Sequence, residues 1–482
     1  MNEMANIGAT RDVEVERKAL AWMEDPFGSF GHSVTAIHSV PREEAEAVQL
    51  AGLNLRLAQR REEIQTLAKF VDAQGIGTIA TLDDGARVLF NHDVYKSYPV
   101  SLLAKRRFDQ LTKWLDRLTP HDLSGVDVSA CQSIDDWLVT LRDRTEMDVA
   151  TSSGTSGTMS FFPRSKKDYW TAATAIKVQL LQKFGQPVDW EEFEAPRHAL
   201  TPFYNDGHST VARIPVYFKE LFCKGDDSLL HTALPFKASA DLMWLAARVR
   251  AAQAKGDGGK VDVPDSLLAR KGEWDELNQK IPQMQADFIR KLIPELTGER
   301  VIALGITAMF FEIARDGLAQ GAKASFAPGS AVMGGGGGKG IVLPDDYEQT
   351  ICSFFGVERL NDGYGMTEQN GFMVSCEAGR FHIAPWATLF LLDPETGAVL
   401  PRQGQQAGRA AFFDMTHDGS WGGIVSGDRV EASYEPCACG RSTVHLSRKI
   451  QRFSELAGGD DKITCAATPG AQADALNYLT NL

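Results

Sequence analysis

VIALGIT (Val301–Thr307), FGVERLNDGYG (Phe355–Gly365), ATLFLLD (Ala387–Asp393) and RAAFFDM (Arg409–Met415) decide the fold class of this chain. Each is a short apolar run, and helical stretches such as Tyr347–Phe355 alternate with them. Short runs alternating with helices predict a mixed or parallel α/β sheet. Gly427-Asp428-Arg429 then starts a strand-like VEASY, with Asp428 expected just after a tight turn.

Upstream the chain reads mainly as helix. Arg42–Lys69 is rich in Glu, Ala, Leu, Arg and Gln, and Val100–Leu118 spaces Leu102, Leu103, Phe108, Leu111, Trp114 and Leu118 at helical intervals. Tyr169–Phe184 reads as a further helix, and the polar stretch 253–280 as a surface insertion.

The chain has 482 residues, enough for two or three domains. Its 43% hydrophobic and 23% charged residues exclude disorder and fibres. Fifty Lys and Arg against 63 Asp and Glu give a net charge of −13, which excludes a sequence-blind grip on nucleic acid or an anionic membrane. The longest stretches without charge, Pro26–Pro41 and Ala324–Gly338, fall short of the roughly 20 residues that a spanning helix needs. Met1–Lys18 is polar and does not read as a leader, and seven cysteines do not make a secreted disulfide scaffold. A soluble cytoplasmic protein is expected.

Four segments could carry chemistry. Ser152-Ser153-Gly154-Thr155-Ser156-Gly157-Thr158, expected between a strand and a helix, offers hydroxyls and backbone N–H groups to an anion. Taken alone it is also a polar surface loop, and no Gly-Lys-Ser/Thr ends it as in a Walker A loop. The glycine run Gly334–Gly338, followed by Lys339, does not open a helix, so a dinucleotide fingerprint is excluded while close approach to a flat ligand stays open. In Gly363-Tyr364-Gly365-Met366-Thr367-Glu368 the glycines would leave room for a ligand against the ring, and Thr367 and Glu368 offer oxygens suited to Mg²⁺. Asp428 could accept two hydrogen bonds from a ribose diol, or be a solvated turn acid.

In this order, spaced by about 210 and then about 60 residues, the segments resemble the adenylate-forming superfamily, with its SSGTTG, YGxTE and TGD signatures. The run from Tyr434 through Cys437, Cys439, Gly440 and Arg441 to Arg448 and Arg452 resembles phenylacetate–CoA ligases. The glycine–lysine run and TSGTSG resemble the acyl-protein synthetases of bacterial luminescence. The likeness covers roughly residues 85–465. It implies an adenylate-forming-enzyme fold: a helical extension over 1–84, a large multilayer α/β core over 85–452, and a short remnant of a lid domain over 453–482.

The resemblance also implies roles. Ser153, Thr155, Ser156 and Thr158 would hold the ATP phosphates, with Gly336 and Gly337 close to the nucleotide. Tyr364 and Gly365 would lie against adenine, Thr367 and Glu368 would serve phosphate and Mg²⁺, and Asp428 would hold the ribose. Arg452 would be the hinge arginine, although Gln451 replaces the glycine usual before it, and Met159 and Ser160 stand where a lysine often closes the loop. Thr155, Glu368 and Arg452 form the implied catalytic set. The implied reaction activates a small-molecule carboxylic acid as its acyl-adenylate, releases pyrophosphate, and passes the acyl group to coenzyme A or a protein cysteine. An adenylating subunit serving a partner reductase or carrier protein, and an inactive nucleotide-binding homologue, are the alternatives. In the short branch an acceptor cysteine lies near the C-terminus, where this chain has Cys465. Cys376, His382, Cys437 and Cys439 supply an imidazole and three thiols, a set suited either to structural Zn²⁺ or to buried free cysteines beside a surface histidine.

Overall fold

Strand β1 (Phe90–Asn91) and the hairpin of β2 (Ala150–Ser153) and β3 (Met159–Phe162) precede two larger sheets. The computed structural model describes residues 2–153, 158–254, 261–336 and 342–453. The first larger sheet comprises β4 (His198–Asp206), β5 (Leu230–Lys237), β6 (Val301–Leu304), β7 (Ala331–Gly335), β8 (Leu360–Tyr364) and β9 (Met373–Val374). Its order is β5-β4-β6-β7-β8-β9, parallel throughout except for the β8–β9 pair. Helices Thr210–Leu221, Thr307–Ala319 and Tyr347–Phe355 cross from β4 to β5, β6 to β7 and β7 to β8, as parallel neighbours require. Every residue of β6 is buried, which is why its sequence is an unbroken apolar run.

The second sheet comprises β10 (Phe381–His382), β11 (Ala387–Leu392), β12 (Gln405–Asp414), β13 (Gly423–Ser433), β14 (His445–Leu446) and β15 (Gln451–Arg452). Its order is β10-β14-β13-β12-β11, with β1 and β15 also pairing β13. The architecture is therefore α/β with mixed sheets, as the alternating runs predict. Among the described residues no helix is long and apolar enough to cross a membrane.

Three expectations need correction. Arg42–Lys69 is not one helix: Arg42–Glu63 and Gln65–Ala73 break at Ile64, whose backbone is extended. Ile64 is fully buried and the next N–H but one, on Thr66, bonds Arg117 O at 3.1 Å, so tertiary contacts draw the chain off its helical path. Val100–Leu118 divides into Ser101–Ala104 and Phe108–Asp116, because Arg106 takes a left-handed conformation (φ 53°) that ends the first turn. The polar stretch 253–280 is more than a surface insertion. It carries helices Asp265–Ala269 and Lys271–Asp287, which bury Leu267, Trp274 and Ile281 in the core of the parallel sheet. Two apolar anchors, Leu267 and Trp274, within so polar a stretch leave little periodic signal.

The N-terminal helical region is not packed apart. Ala19, Trp22, Phe27, Val34, Ile37 and Leu53 share one core with Leu389 and Phe390 of β11 and Phe412 of β12. Phe27 meets Trp386 edge-on at 5.1 Å.

Candidate active site and metal centre

The hydroxyl-rich segment is followed by a strand that pairs back on β2, not by the helix expected. β2 and β3 pair from Ala150–Phe162 to Ser153–Met159, and the helix begins only at Lys166. Met159, Phe161 and Phe162 are buried, so this segment pairs back as a strand before any helix starts. Ser153 ends β2. Its side chain, Thr155 and Ser156 lie outside the described residues, while Thr158 is half-buried. Thr151 N donates to His208 O at 2.6 Å, which seats the hairpin beside the carboxyl end of β4. Buried His208 has neither ring nitrogen bonded among the described residues. Burial, with Lys237, Arg213 and Arg142 nearby, holds its pKa well below 6.5.

The carboxyl ends of β7 and β8 lie side by side, with Gly335 opposite Gly363. Gly336 follows there, exposed and left-handed (φ 69°), and Gly337 lies outside the described residues. In parallel α/β sheets this edge is where ligands bind. Tyr364, at the end of β8, is buried, and its hydroxyl donates to Asp428 Oδ2 at 2.9 Å. Its flanking glycines do not open space for a ligand as expected. A Cβ at Gly363 or Gly365 would come within 2.6 or 2.4 Å of the Phe372 ring, which occupies that space. Asp428 lies within β13, not after a tight turn, because β12 and β15 pair the two edges of that strand. β15 sets Arg452 opposite Asp428, with Nε 3.8 Å from Oδ1.

Between Tyr364 and β9 the loop is held from behind. Buried Arg164, two residues past β3, donates through Nη1 to Thr367 O (3.2 Å) and Gln369 O (3.3 Å), and through Nη2 to Asn370 Oδ1 (2.8 Å). Its guanidinium lies 4.7 Å over the Tyr169 ring. Asn370 Nδ2 donates to Asp168 Oδ1 at 2.7 Å, and the Asp168 carboxylate also accepts from the N–H groups of Ser165, Asp418 and Gly419, each at 2.9 Å. Thr210 Oγ1 donates to Thr367 Oγ1 at 3.2 Å. Glu368, half-buried on this fixed loop, has a raised pKa: burial is the main cause and the Asp428 charge adds to it, while Arg452 and Arg164 oppose.

The structure therefore gathers Tyr364, Gly365, Thr367, Glu368, Asp428 and Arg452 around one end of the parallel sheet. The motifs did not reveal Arg164, Asp168 or Asn370. Ser165-x-x-Asp168 was the one available signal, since it is a capping box, and both of its reciprocal bonds form at the start of helix Lys166–Leu181.

The second cluster assembles as well. The ligand atoms of Cys376, His382, Cys437 and Cys439 lie within 4.8 Å of one another. Cys376 Sγ and Cys437 Sγ are 4.0 Å apart; tetrahedral Zn–S bonds would hold two sulfurs about 3.8 Å apart. Cys439 Sγ is 3.4 Å from His382 Nε2, while His382 Nδ1 bonds Thr443 Oγ1 at 3.2 Å, which directs Nε2 toward the thiols. Gly379 N donates to Cys376 O and Gly440 N to Cys437 O, folding two tight turns around the sulfurs. Burial pushes the Cys376 thiol up and the Cys437 thiol up to about 12. A divalent cation would reverse that shift.

No family model and no curated protein matches the chain. Among solved structures it is similar to 2-hydroxyisobutyryl-CoA ligase in an open conformation with 2-HIB-AMP and CoA. Identity is 13% and the TM-score 0.46, over 86% of this chain and 76% of that one. The same ligase in the thioesterification state gives 13%, 0.45, 86% and 70%. ATP-bound MatB from Rhodopseudomonas palustris gives 15% and 0.30, over 62% of this chain and 47% of that one.

Proposed function

We propose that the chain activates a carboxylic acid with ATP and passes the acyl group to a thiol, in the cytoplasm, as an adenylate-forming ligase. The observation that carries this reading is the convergence of Tyr364, Glu368, Asp428 and Arg452 at the carboxyl end of the parallel sheet. In the first step a carboxylate oxygen bonds to the α-phosphorus of ATP and the bond from that phosphorus to the bridging oxygen breaks, releasing pyrophosphate. In the second step a thiolate sulfur bonds to the acyl carbon and AMP leaves. The first step needs no covalent enzyme intermediate, so the site's work there is alignment and charge neutralisation.

Ser153, Thr155, Ser156 and Thr158 bind the phosphates in this reading, with Gly336 and Gly337 beside them. Tyr364 and Gly365 border the nucleotide, and Asp428 holds the ribose in this reading. Thr367 and Glu368 would hold Mg²⁺, which when bound neutralises phosphate charge. Cys376, His382, Cys437 and Cys439 would hold one structural Zn²⁺, to which their chemistry and spacing are suited. The thiol is that of coenzyme A, of a partner protein, or of Cys465, which lies outside the described residues.

A screen of carboxylic acids for ATP-dependent pyrophosphate release tests the first step. Release that needs acid and Mg²⁺ supports it, and no release above ATP alone with any acid class overturns it. Product analysis with and without coenzyme A, and intact mass for a hydroxylamine-labile adduct, then identify the acceptor.

A further inference from the structure

Arg164 is among the largest fully buried side chains of the protein, yet the four acceptors of its guanidinium are all uncharged. Nη1 donates to Thr367 O and Gln369 O, and Nη2 donates to Asp168 O at 3.2 Å and to Asn370 Oδ1. The Asp168 carboxylate stands nearby but is turned to the N–H groups of Ser165, Asp418 and Gly419. A buried cation without a directly bonded anion is a costly way to fill a core. What this one holds lies directly against Glu368: the carbonyls of the residues before and after that glutamate.

Gln369 N donates to Met366 O at 3.2 Å and closes a turn with Thr367 and Glu368 at its centre. That bond holds the peptide plane after Glu368. Arg164 Nη1, 3.2 Å from Thr367 O, holds the plane before it, and the same nitrogen, 3.3 Å from Gln369 O, holds the next one. Peptide units are planar, so fixing the planes on both sides of the Glu368 Cα fixes the direction in which its side chain leaves the backbone. Thr210 Oγ1 orients the neighbouring Thr367 hydroxyl in the same way. The anchor is itself pinned. Arg164 N donates to Phe162 O and Arg164 O accepts from Asp148 N, each at 2.8 Å, while the guanidinium lies 4.7 Å over the Tyr169 ring. One side chain thus joins the base of the β2–β3 pair to the turn that carries Glu368.

We propose that Arg164 is a positioning residue for Glu368: by fixing the turn Met366–Gln369 from behind, it sets the direction in which the Glu368 carboxylate meets Mg²⁺ and ATP. This rests on the adenylation reading above. Arg164 is buried behind the turn and acts through the backbone. A lysine there would keep a charge near Tyr169, but its one nitrogen on a flexible stem cannot hold Thr367 O, Gln369 O and Asn370 Oδ1 in fixed directions at once.

A double-mutant cycle of Arg164→Lys and Glu368→Gln tests this, read as kcat/KM for MgATP with the acid that releases pyrophosphate best. Arg164→Lys alone should lower that constant about 10- to 100-fold, the penalty for a slightly misplaced catalytic group. Added to Glu368→Gln it should change the constant less than about 2-fold, because the group it positions is already gone. An arginine with a purely structural role would lower the constant by the same factor in both backgrounds. Affinity for ATP is measured by calorimetry with and without Mg²⁺, and the gain that Mg²⁺ brings to the wild type should shrink in Arg164→Lys as it does in Glu368→Gln. Melting temperature verifies folding. If Arg164→Lys does not fold, Asn370→Ala, which removes one of the four acceptors, takes its place in the cycle with an expected loss of about 3-fold or more. Near-normal kcat/KM in the folded variant, or equal losses in both backgrounds, overturns the positioning role and leaves adenylation standing. If no acid releases pyrophosphate, adenylation fails by itself and ATP binding decides the positioning role. A Mg²⁺ gain that the variants lose supports it; a gain that they keep, or none in the wild type, overturns it.

Discussion

The hydroxyl of Tyr364 donates to Asp428 Oδ2 across 2.9 Å and so joins the end of the parallel strand β8 to the middle of the antiparallel strand β13. Burial, reinforced by the Asp428 charge, pushes the Tyr364 phenol well above 10, so it remains a donor across the physiological range. Tyr364→Phe keeps the ring but strips one bond from a half-buried carboxylate. Hydrogen bonds to charged groups contribute about 1.5–3 kcal/mol, so kcat/KM for ATP should fall about 10- to 100-fold in a folded variant. Steady-state kinetics with varied ATP check this, and an unchanged constant would remove the pair from the nucleotide site.

Glu368 carries a second expectation. Its pKa is raised chiefly by burial, so it takes up a proton at higher pH than an ordinary glutamate. If Glu368 holds Mg²⁺ as proposed, the metal needs the carboxylate, and the rate should decline toward acid pH earlier than a glutamate of ordinary pKa would allow. Glu368→Gln should lower pyrophosphate release about 10²–10³-fold and erase that acidic limb. A pH profile of kcat/KM for MgATP in both proteins decides it; near-normal release by the variant would sink the assignment.

What the sequence disclosed was what depends on residue identity at fixed spacing. The Tyr364–Glu368 segment and Asp428 were visible as local strings, and the Cys376–His382 and Cys437–Cys439 pairs as two short strings 54 residues apart. Tertiary contacts were not visible. Nothing near Arg164 marks it as the residue that holds Thr367 and Gln369, more than 200 positions away, because a buried arginine has the same letter as a surface one. Gly363 and Gly365 were read as room for a ligand, yet that room belongs to Phe372. Helix breaks at Ile64 and Arg106 were hidden for a related reason, since good helix formers surround both and the packing overrides them.

Asp168 is a fully buried carboxylate with N–H donors from Ser165, Asn370, Asp418 and Gly419. Burial raises its pKa, but His417, Arg164 and these donors outweigh that, and the net shift is downward. A depressed folded pKa gives stability that is present above the unfolded value near 4 and is lost as pH falls through the folded one. Asp168→Asn turns an N–H toward one of these donors and leaves Arg164 without its nearby anion. A loss of about 3–5 kcal/mol is expected, seen as a lower urea midpoint at neutral pH and a smaller difference from wild type in acid. Equal midpoints at neutral pH would refute the role.

The zinc expectation is argued from the thiols themselves. Cys376 and Cys437 sit 4.0 Å apart, with raised pKa values and free of disulfide bonds. Buried thiols so close together gain most when a cation takes their protons, and binding free energy for such a site is folding free energy. Purified protein should therefore carry about one equivalent of zinc. Cys437→Ser should lose the metal and melt at lower temperature. Thr443→Val tests the supporting shell. It leaves all the ligands in place but removes the hydroxyl from His382 Nδ1, 3.2 Å away, and zinc affinity should drop about 10- to 100-fold. Elemental analysis of protein purified without chelator, followed by competition with a chromophoric chelator, measures both effects. Much less than one equivalent in undenatured wild type would dispose of the metal centre and leave four side chains that merely pack together.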